Sequence, residues 1–429
     1  KRGSTPGNDI LVLCPAGKSG AIDVAGGVFR IGDNAFENCH FITSVVIPEG
    51  VTEIGYYSFS GCSSLTSVHM PDTLESIGGY AFSECTRLVS ADIPSSVTSI
   101  GYGAFSYTAI TSAVIPAAVS NLYDETFYGC SSLTSVTISE GVTVIGNYAF
   151  FGCTSITALI LPDGITDIGY AAFAYDESLS SINIPSSVTR ISAEAFRGTA
   201  LISVNIPDGV TYIGNGAFAE CSELTSISVG TGNAIYESES GILYGYDKYL
   251  GKELMQCPAG MTGAVTVAEE TTSIGDYAFA GCSSIVSLDM PEGVFHVGYG
   301  AFSDCTSLTS VYLSSTIEEI DQSAIEGCTG LMNIFVAEGN MICKDIDGIL
   351  YSPDGNELVL CPSARVSVVI PEGVERITDY AFSNCTELVS VTIPGSVRDI
   401  GQSAFSNCGK LVSVEIPDGV TVIPSWAFW

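Results

Sequence analysis

Positive charge is scarce in this sequence: 14 Lys and Arg stand against 47 Asp and Glu, for a net charge of −33. Such a surface repels phosphate backbones and anionic headgroups, so nucleic acid is excluded as a partner and a membrane surface is disfavoured. Two readings of the acidic side chains stay open: a solvated exterior, or weak divalent-cation binding along acidic rows. Long apolar runs are missing too. None approaches the ~18 residues that a membrane span needs, so direct membrane insertion of this stretch is not expected. The segment Lys1–Gly7 lacks the apolar core of a signal peptide, and Trp426–Trp429 carries no sorting or lipidation motif. The only histidines are His40, His69 and His296, far apart in the chain. There is no G-x-S-x-G, P-loop or H-E-x-x-H motif. No C-x-x-C pair exists either, so zinc spacing is absent. The chain is accordingly expected to be no enzyme, with no metal and no cofactor. It also lacks a Pro/Ser-rich or charge-rich linker, and residues 1–429 read as one domain.

What is present is a repeat. Ala-Phe or a close variant recurs with Phe at 36, 59, 82, 105, 127, 150, 173, 196, 218, 279, 302, 382, 405 and 428, and Ala324-Ile325 fills one further slot. The spacing is mostly 23 residues, and drops to 22 after Phe105 and Phe196, where the turn after Phe is shortened. The generic unit is L-x-S-V-x-I-P-x-x-V-T-x-I-G-x-x-A-F-x-x-C, as in residues 133–153. In L-x-S-V-x-I, Val and Ile point to one side of a strand, while Ser and the residue between them face the other. Pro-Asp-Gly or Pro-Glu-Gly then turns the chain, as at Pro162–Gly164 and Pro207–Gly209. V-T-x-I-G supplies a second short inward pair. A-F-x-x-C reads as a short helical or 3₁₀ turn that puts Ala, Phe and Cys inside. One unit cannot bury this many apolar groups alone. Stacked units can, and like positions then form Phe, Ile and Cys ladders.

Eleven of the 15 cysteines occupy the A-F-x-x-C slot, and Cys14, Cys257 and Cys361 share a Cys-Pro slot; only Cys343 fits neither. Buried structural thiols explain this better than disulfides, because ladder side chains run parallel.

Two gaps exceed one repeat, at 230–268 and 338–366, and each reads as a β-hairpin insert. The strand-turn-strand of the second runs from Asp347-Gly-Ile-Leu-Tyr351 through Ser352–Asn356 to Glu357–Pro362. Residues 8–22 resemble the returning half of the same device, with the first strand absent. A fragment of a longer protein is therefore expected.

The unit resembles the BspA-type leucine-rich repeat of bacterial and protist cell-surface proteins. Ile47–Gly55 and Ala278–Cys282 carry the likeness, which runs from about residue 8 to 429. It implies a right-handed leucine-rich-repeat superhelix: a parallel concave β-sheet, with short turns and strands on the other faces, interrupted by hairpin inserts. It also implies an extracellular or cell-surface location.

The concave strand face is the candidate binding surface. One outward slot is a Ser row, including Ser44, Ser67, Ser90, Ser287 and Ser310. The next varies, and variation where the fold dictates nothing is where recognition can reside. Its candidate ligand-binding residues are His69, Asp92, Thr137, Asn183, Asn205, Asp289, Tyr312, Phe335, Thr392 and Glu415. Tyr312 and Phe335, on successive repeats, are expected to form an aromatic patch. Tyrosines beside the Ala-Phe turn, among them Tyr57, Tyr80, Tyr148 and Tyr299, either form a convex ridge or shield the edges between coils. The adjacent pairs Glu269-Glu270 and Glu318-Glu319 point to opposite sides of their strands and make no acid/base couple. The leading reading is a non-enzymatic scaffold that binds host or matrix protein, or glycan. The alternatives are a structural stalk displaying another domain, and an enzyme with a site of unfamiliar kind.

Overall fold

The computed structural model describes residues 2–3, 9–11, 13–247, 251–321 and 323–429. All regular structure among them is β, and no helix there is long and apolar enough to cross a membrane. The chain packs as two compact units, Lys1–Cys221 with Val229–Ala234, and Ser222–Ser228 with Ile235–Trp429. Each is a parallel solenoid whose coils stack through the repeated positions.

In the first unit, the L-x-S-V-x-I segments pair in register. Ser44 sits beside Ser67 and Ser67 beside Ser90, with Val45 beside Val68 one place on. Val and Ile point inward and most are buried, as the two-residue alternation requires. The V-T-x-I segments form a second ladder in which Ile31, Ile54, Ile77 and Ile100 are successive neighbours. A later stretch aligns Leu122, Ile145, Ile168, Ile191 and Ile213. The Phe rings stack face to face down the interior, with centroids 4.7 Å apart at Phe36–Phe59 and 5.4 Å at Phe127–Phe150. Each fully buried ring contributes about 1.5–3 kcal/mol by leaving water, and stacking adds ~0.5–1.5 kcal/mol.

The Ala-Phe turn is not the helical or 3₁₀ turn that its sequence suggests. In Gly55–Cys62, Tyr57 (φ 51°) and Gly61 (φ 70°) are both left-handed. That reversal sends alternate amides along the stacking axis. Tyr57, Phe59 and Gly61 donate N–H to the carbonyls of Gly79, Ala81 and Ser83 of the next coil, at 3.0, 2.8 and 2.8 Å. Ser60 and Cys62 N–H close local turns onto Tyr57 and Phe59. A helix would spend every amide within its own turn. Here the turn becomes a third intercoil ladder, which offsets the ~1–2 kcal/mol that a left-handed non-glycine residue costs.

The cysteines are free. Their thiols do more than fill space: the Sγ atoms of Cys62, Cys85 and Cys130 donate to the carbonyls of Phe36, Phe59 and Phe105, at 3.0, 3.1 and 3.0 Å. Burial pushes the thiols of Cys130 and Cys221 up to about 11, which keeps the proton on the sulfur. In the two 22-residue coils, Thr108 and Thr199 take the Cys position and contact Cys130 and Cys221 Sγ at 3.3 and 3.2 Å. Cys343, outside the pattern, is buried as well.

The inserts, both in the second unit, have one strand more than a hairpin. Tyr236–Glu239, Ile242–Asp247 and Gly251–Gln256 form an antiparallel meander, whose last strand pairs parallel with Thr271–Ile274. Lys344–Ile346, Ile349–Tyr351 and Glu357–Leu360 repeat the arrangement, ending parallel to Arg376–Ile377. Tyr244 and Tyr351 are buried inside them. At the N-terminus the strand expected to be absent is present: Arg2–Gly3, in the place of the middle meander strand, pairs antiparallel with Ile10–Leu11. Residues 8 and 12 of the segment read as 8–22 lie outside the described residues. The three Cys-Pro slots are equivalent, since Cys14, Cys257 and Cys361 each donate N–H to the Ala carbonyl of the following turn.

Candidate functional site

The strand face holds its outward side chains in register, so neighbours in space are residues one coil apart. Val46 lies beside His69, Val114 beside Thr137, Ile160 beside Asn183, Thr266 beside Asp289, and Val369 beside Thr392. Asn205 lies on the strand Ser203–Ile206. Asp92 and Glu415 fall just beyond the ends of Ser90–Ala91 and Ser413–Val414. All of these candidates are exposed except Phe335, which is half-buried. Two are in direct contact: the rings of Tyr312 and Phe335 lie 5.1 Å apart. Asn183 is committed to the fold, because its Oδ1 accepts the Leu161 N–H at 2.8 Å and its Nδ2 donates to the Leu161 carbonyl at 3.1 Å.

A neighbouring row, one residue before the Ser row, was not read from the sequence. It is the x of L-x-S. In several coils it is Thr or Ser, whose hydroxyl donates to the carbonyl of the preceding coil, as Thr66 does to Thr43 and Ser180 to Thr157. Elsewhere it is apolar and exposed. Val366, Val389 and Val412 occupy it on three successive coils of the second unit, 55%, 43% and 85% exposed. Val369 lies across the Ser row from them and is 74% exposed. The signal is the change from L-T-S to L-V-S at 388–390 and 411–413. A short Leu-Val pair reads as core by hydropathy alone. Contiguous exposed apolar area of this kind marks interaction sites.

On the turn side, tyrosines stack from coil to coil. Tyr57 and Tyr80 are parallel at 5.1 Å, while Tyr148 and Tyr170 meet edge to face. The hydroxyls of Tyr80 and Tyr170 donate to Glu125 and Glu194 at 3.2 and 2.8 Å. The Tyr170 pair ties neighbouring coils together, and the Tyr80 pair reaches across one coil to the next but one.

Among the described residues no three metal-ligating side chains come together. His40 Nδ1 contacts the Gly61 carbonyl, and His296 lies near Ser273 and Glu319. One buried carboxylate departs from the repeat. Asp176 takes the Cys slot after Phe173. Its Oδ1 accepts the Cys153 N–H at 2.6 Å, while its buried Oδ2 has no partner among the described residues. Burial raises this carboxyl well above the usual carboxylate range.

The stacked coils, with Phe, Cys and turn positions repeating at 23 residues, match the BspA type leucine rich repeat region, whose family model covers residues 20–134, 120–240, 260–346 and 361–429. The chain belongs to the BspA-type leucine-rich-repeat family. Among solved structures, this family member is similar to a leucine rich cell surface protein from Faecalibacterium prausnitzii. The two are 28% identical with a TM-score of 0.54, over 96% of this chain and 91% of that one. A leucine-rich repeat protein from Bacteroides ovatus is 24% identical with a TM-score of 0.58, over 98% and 93% of the two chains. The pneumococcal vaccine antigen PcpA shares the fold at 18% identity and a TM-score of 0.52, over 98% and 90%. No curated protein matches.

Proposed function

We propose that this BspA-type chain is a non-catalytic recognition scaffold displayed outside the cell, and that its strand face binds a host or matrix macromolecule, protein or glycan. The observation that carries the reading is the register-locked strand face of the second unit. There Tyr312, stacked on the half-buried Phe335, and the Val366, Val389 and Val412 row at the start of successive strands stay exposed. Rigid apolar and aromatic groups contribute most of the affinity in shallow interfaces, because little side-chain entropy is lost on binding. Display at the surface is supported by the cell-surface description of the F. prausnitzii protein. The net charge of −33 favours neutral or basic partners.

The test is an array of matrix proteins and glycans probed with the purified chain, followed by Tyr312→Ala and Val389→Ser. Binding that weakens about tenfold or more in each variant, the loss of ~1.4 kcal/mol or more, supports the reading. Absence of any bound partner, or binding indifferent to both variants, overturns it.

A further inference from the structure

The second insert interrupts the turn ladder of the second unit. The turn Ala324–Cys328 is followed, in the next coil, not by another Ala-Phe turn but by the link through Cys361 and Ser363. Ser363 Oγ donates to the Cys328 carbonyl, and Cys361 N–H to the Ala381 carbonyl. The coil after that resumes the pattern with Ala381-Phe382. A groove of about 990 Å³ opens where the missing turn would stand.

The edges of the groove are unsatisfied ladder groups. In the coil before, Phe302 and Asp304 donate N–H to the carbonyls of Ala324 and Glu326 at 2.7 and 2.8 Å. The equivalent donors one coil on are the N–H groups of Ile325 and Gly327, and neither finds a partner among the described residues. Across the gap, the carbonyls of Asp379 and Ser383 would accept from that missing turn, and both lack a donor among the described residues. The chain itself shows which chemistry fits between, because the backbone amide of Cys361 serves the middle acceptor, Ala381, at 2.7 Å.

The rest of the lining sets the charge and shape. Glu319, Asp321 and Glu326 line the groove, with no Lys or Arg among its lining residues; His296 Nε2 stands 3.9 Å from Glu319, and Asn384 Nδ2 donates to Glu326 at 3.2 Å, while Tyr299, Tyr380 and Trp426 present exposed aromatic surface. A peptide backbone carries donors and acceptors alternately and can pair with both walls, as in strand addition to an open edge. Carboxylates and aromatic faces together suit Lys or Arg side chains. We propose that this groove binds an extended basic peptide segment, whose backbone stands in for the missing turn. The site is separate from the strand face and does not depend on the reading given for it.

The test has two arms on the whole chain. Hydrogen exchange in the free protein is compared between 324–328 and 301–305. Exchange at Ile325 and Gly327 at least tenfold faster than at Phe302 and Asp304 is expected, since unpaired amides are unprotected. An array of decapeptides graded in Lys and Arg content, with a neutral glycan array beside it, is then probed. Basic peptides are expected to bind, to weaken with salt, to slow exchange at Ile325 and Gly327, and to bind Glu326→Gln and Tyr380→Ala three- to tenfold more weakly. Equal protection of the two turns in the free protein overturns the proposal. So does binding of glycans only, of no peptide, or of peptides that leave those amides and variants unaffected. Failure of the strand-face reading moves none of these readouts.

Discussion

Replacing Asp176 with Asn tests the account of the buried ladder most directly. The carboxyl sits where other coils carry a thiol, keeps one hydrogen bond from Cys153 N–H, and leaves Oδ2 without a partner among the described residues. Asn has the same shape, can still accept from Cys153, and does not titrate. Burial raises the native pKa of Asp176 above its unfolded value. Below the unfolded value of ~3.9 the group is protonated in both states, and its contribution is fully present. As pH rises from there towards the raised native value, the unfolded chain releases the proton and the native one keeps it. Native stability then falls by ~1.4 kcal/mol per pH unit relative to the Asn variant. Above the native value the difference levels off. The other acidic side chains titrate alike in both proteins and cancel. The assay is urea unfolding of wild type and Asp176→Asn from pH 3 to 8. The expected result is equal dependence near pH 3 and a growing advantage for Asn above pH 4. A difference that stays flat with pH, or a wild type that gains on Asn as pH rises, refutes the reasoning, for the carboxylate would then be partnered when charged.

Two further outcomes follow from the ladders. Phe150→Ala removes a ring stacked on both sides and should cost about 3–5 kcal/mol in denaturant unfolding, while Phe428→Ala, at a 44% exposed ring stacked on Phe405 alone, should cost markedly less. A thiol-reactive disulfide reagent at pH 8 should label partly exposed Cys14 first and leave Cys130 and Cys221 untouched until the chain unfolds, as read by peptide mapping; burial holds those two at about 11.

The coil was legible because every inward position is written many times over. One Phe or one Ile proves little, but the same residue at a constant interval leaves one arrangement in which all of them are buried. The turn conformation was not legible for the opposite reason. Its left-handed positions hold Asn34, Tyr57, Glu84, Gly129 and Asp304 alike, since intercoil hydrogen bonds impose the geometry rather than residue preference. The extra insert strands, such as Tyr236–Glu239, are held by antiparallel partners and have no apolar alternation of their own. Asp176 escaped notice because reading a consensus averages away a single acidic departure from it. On the strand face, the register followed from the repeat and the Tyr312–Phe335 contact came with it. The exposed Val366, Val389 and Val412 row did not, because Leu-Val in sequence looks the same whether Val is inside or outside.

The turn ladder also constrains how such a gene can change. Every coil hands its amides to the next at one fixed offset, so duplicating or deleting a whole coil recreates the same junction, and unequal recombination between copies yields a foldable product. A single codon gained within Gly55–Cys62 would put donors opposite donors. The 22-residue coils show where one codon can go: the stretch after Phe105 and after Phe196, where Thr108 and Thr199 maintain the contact to the next thiol. Copy number is thus free to drift, while outside the two inserts the length of each copy is held to 23 residues or one fewer.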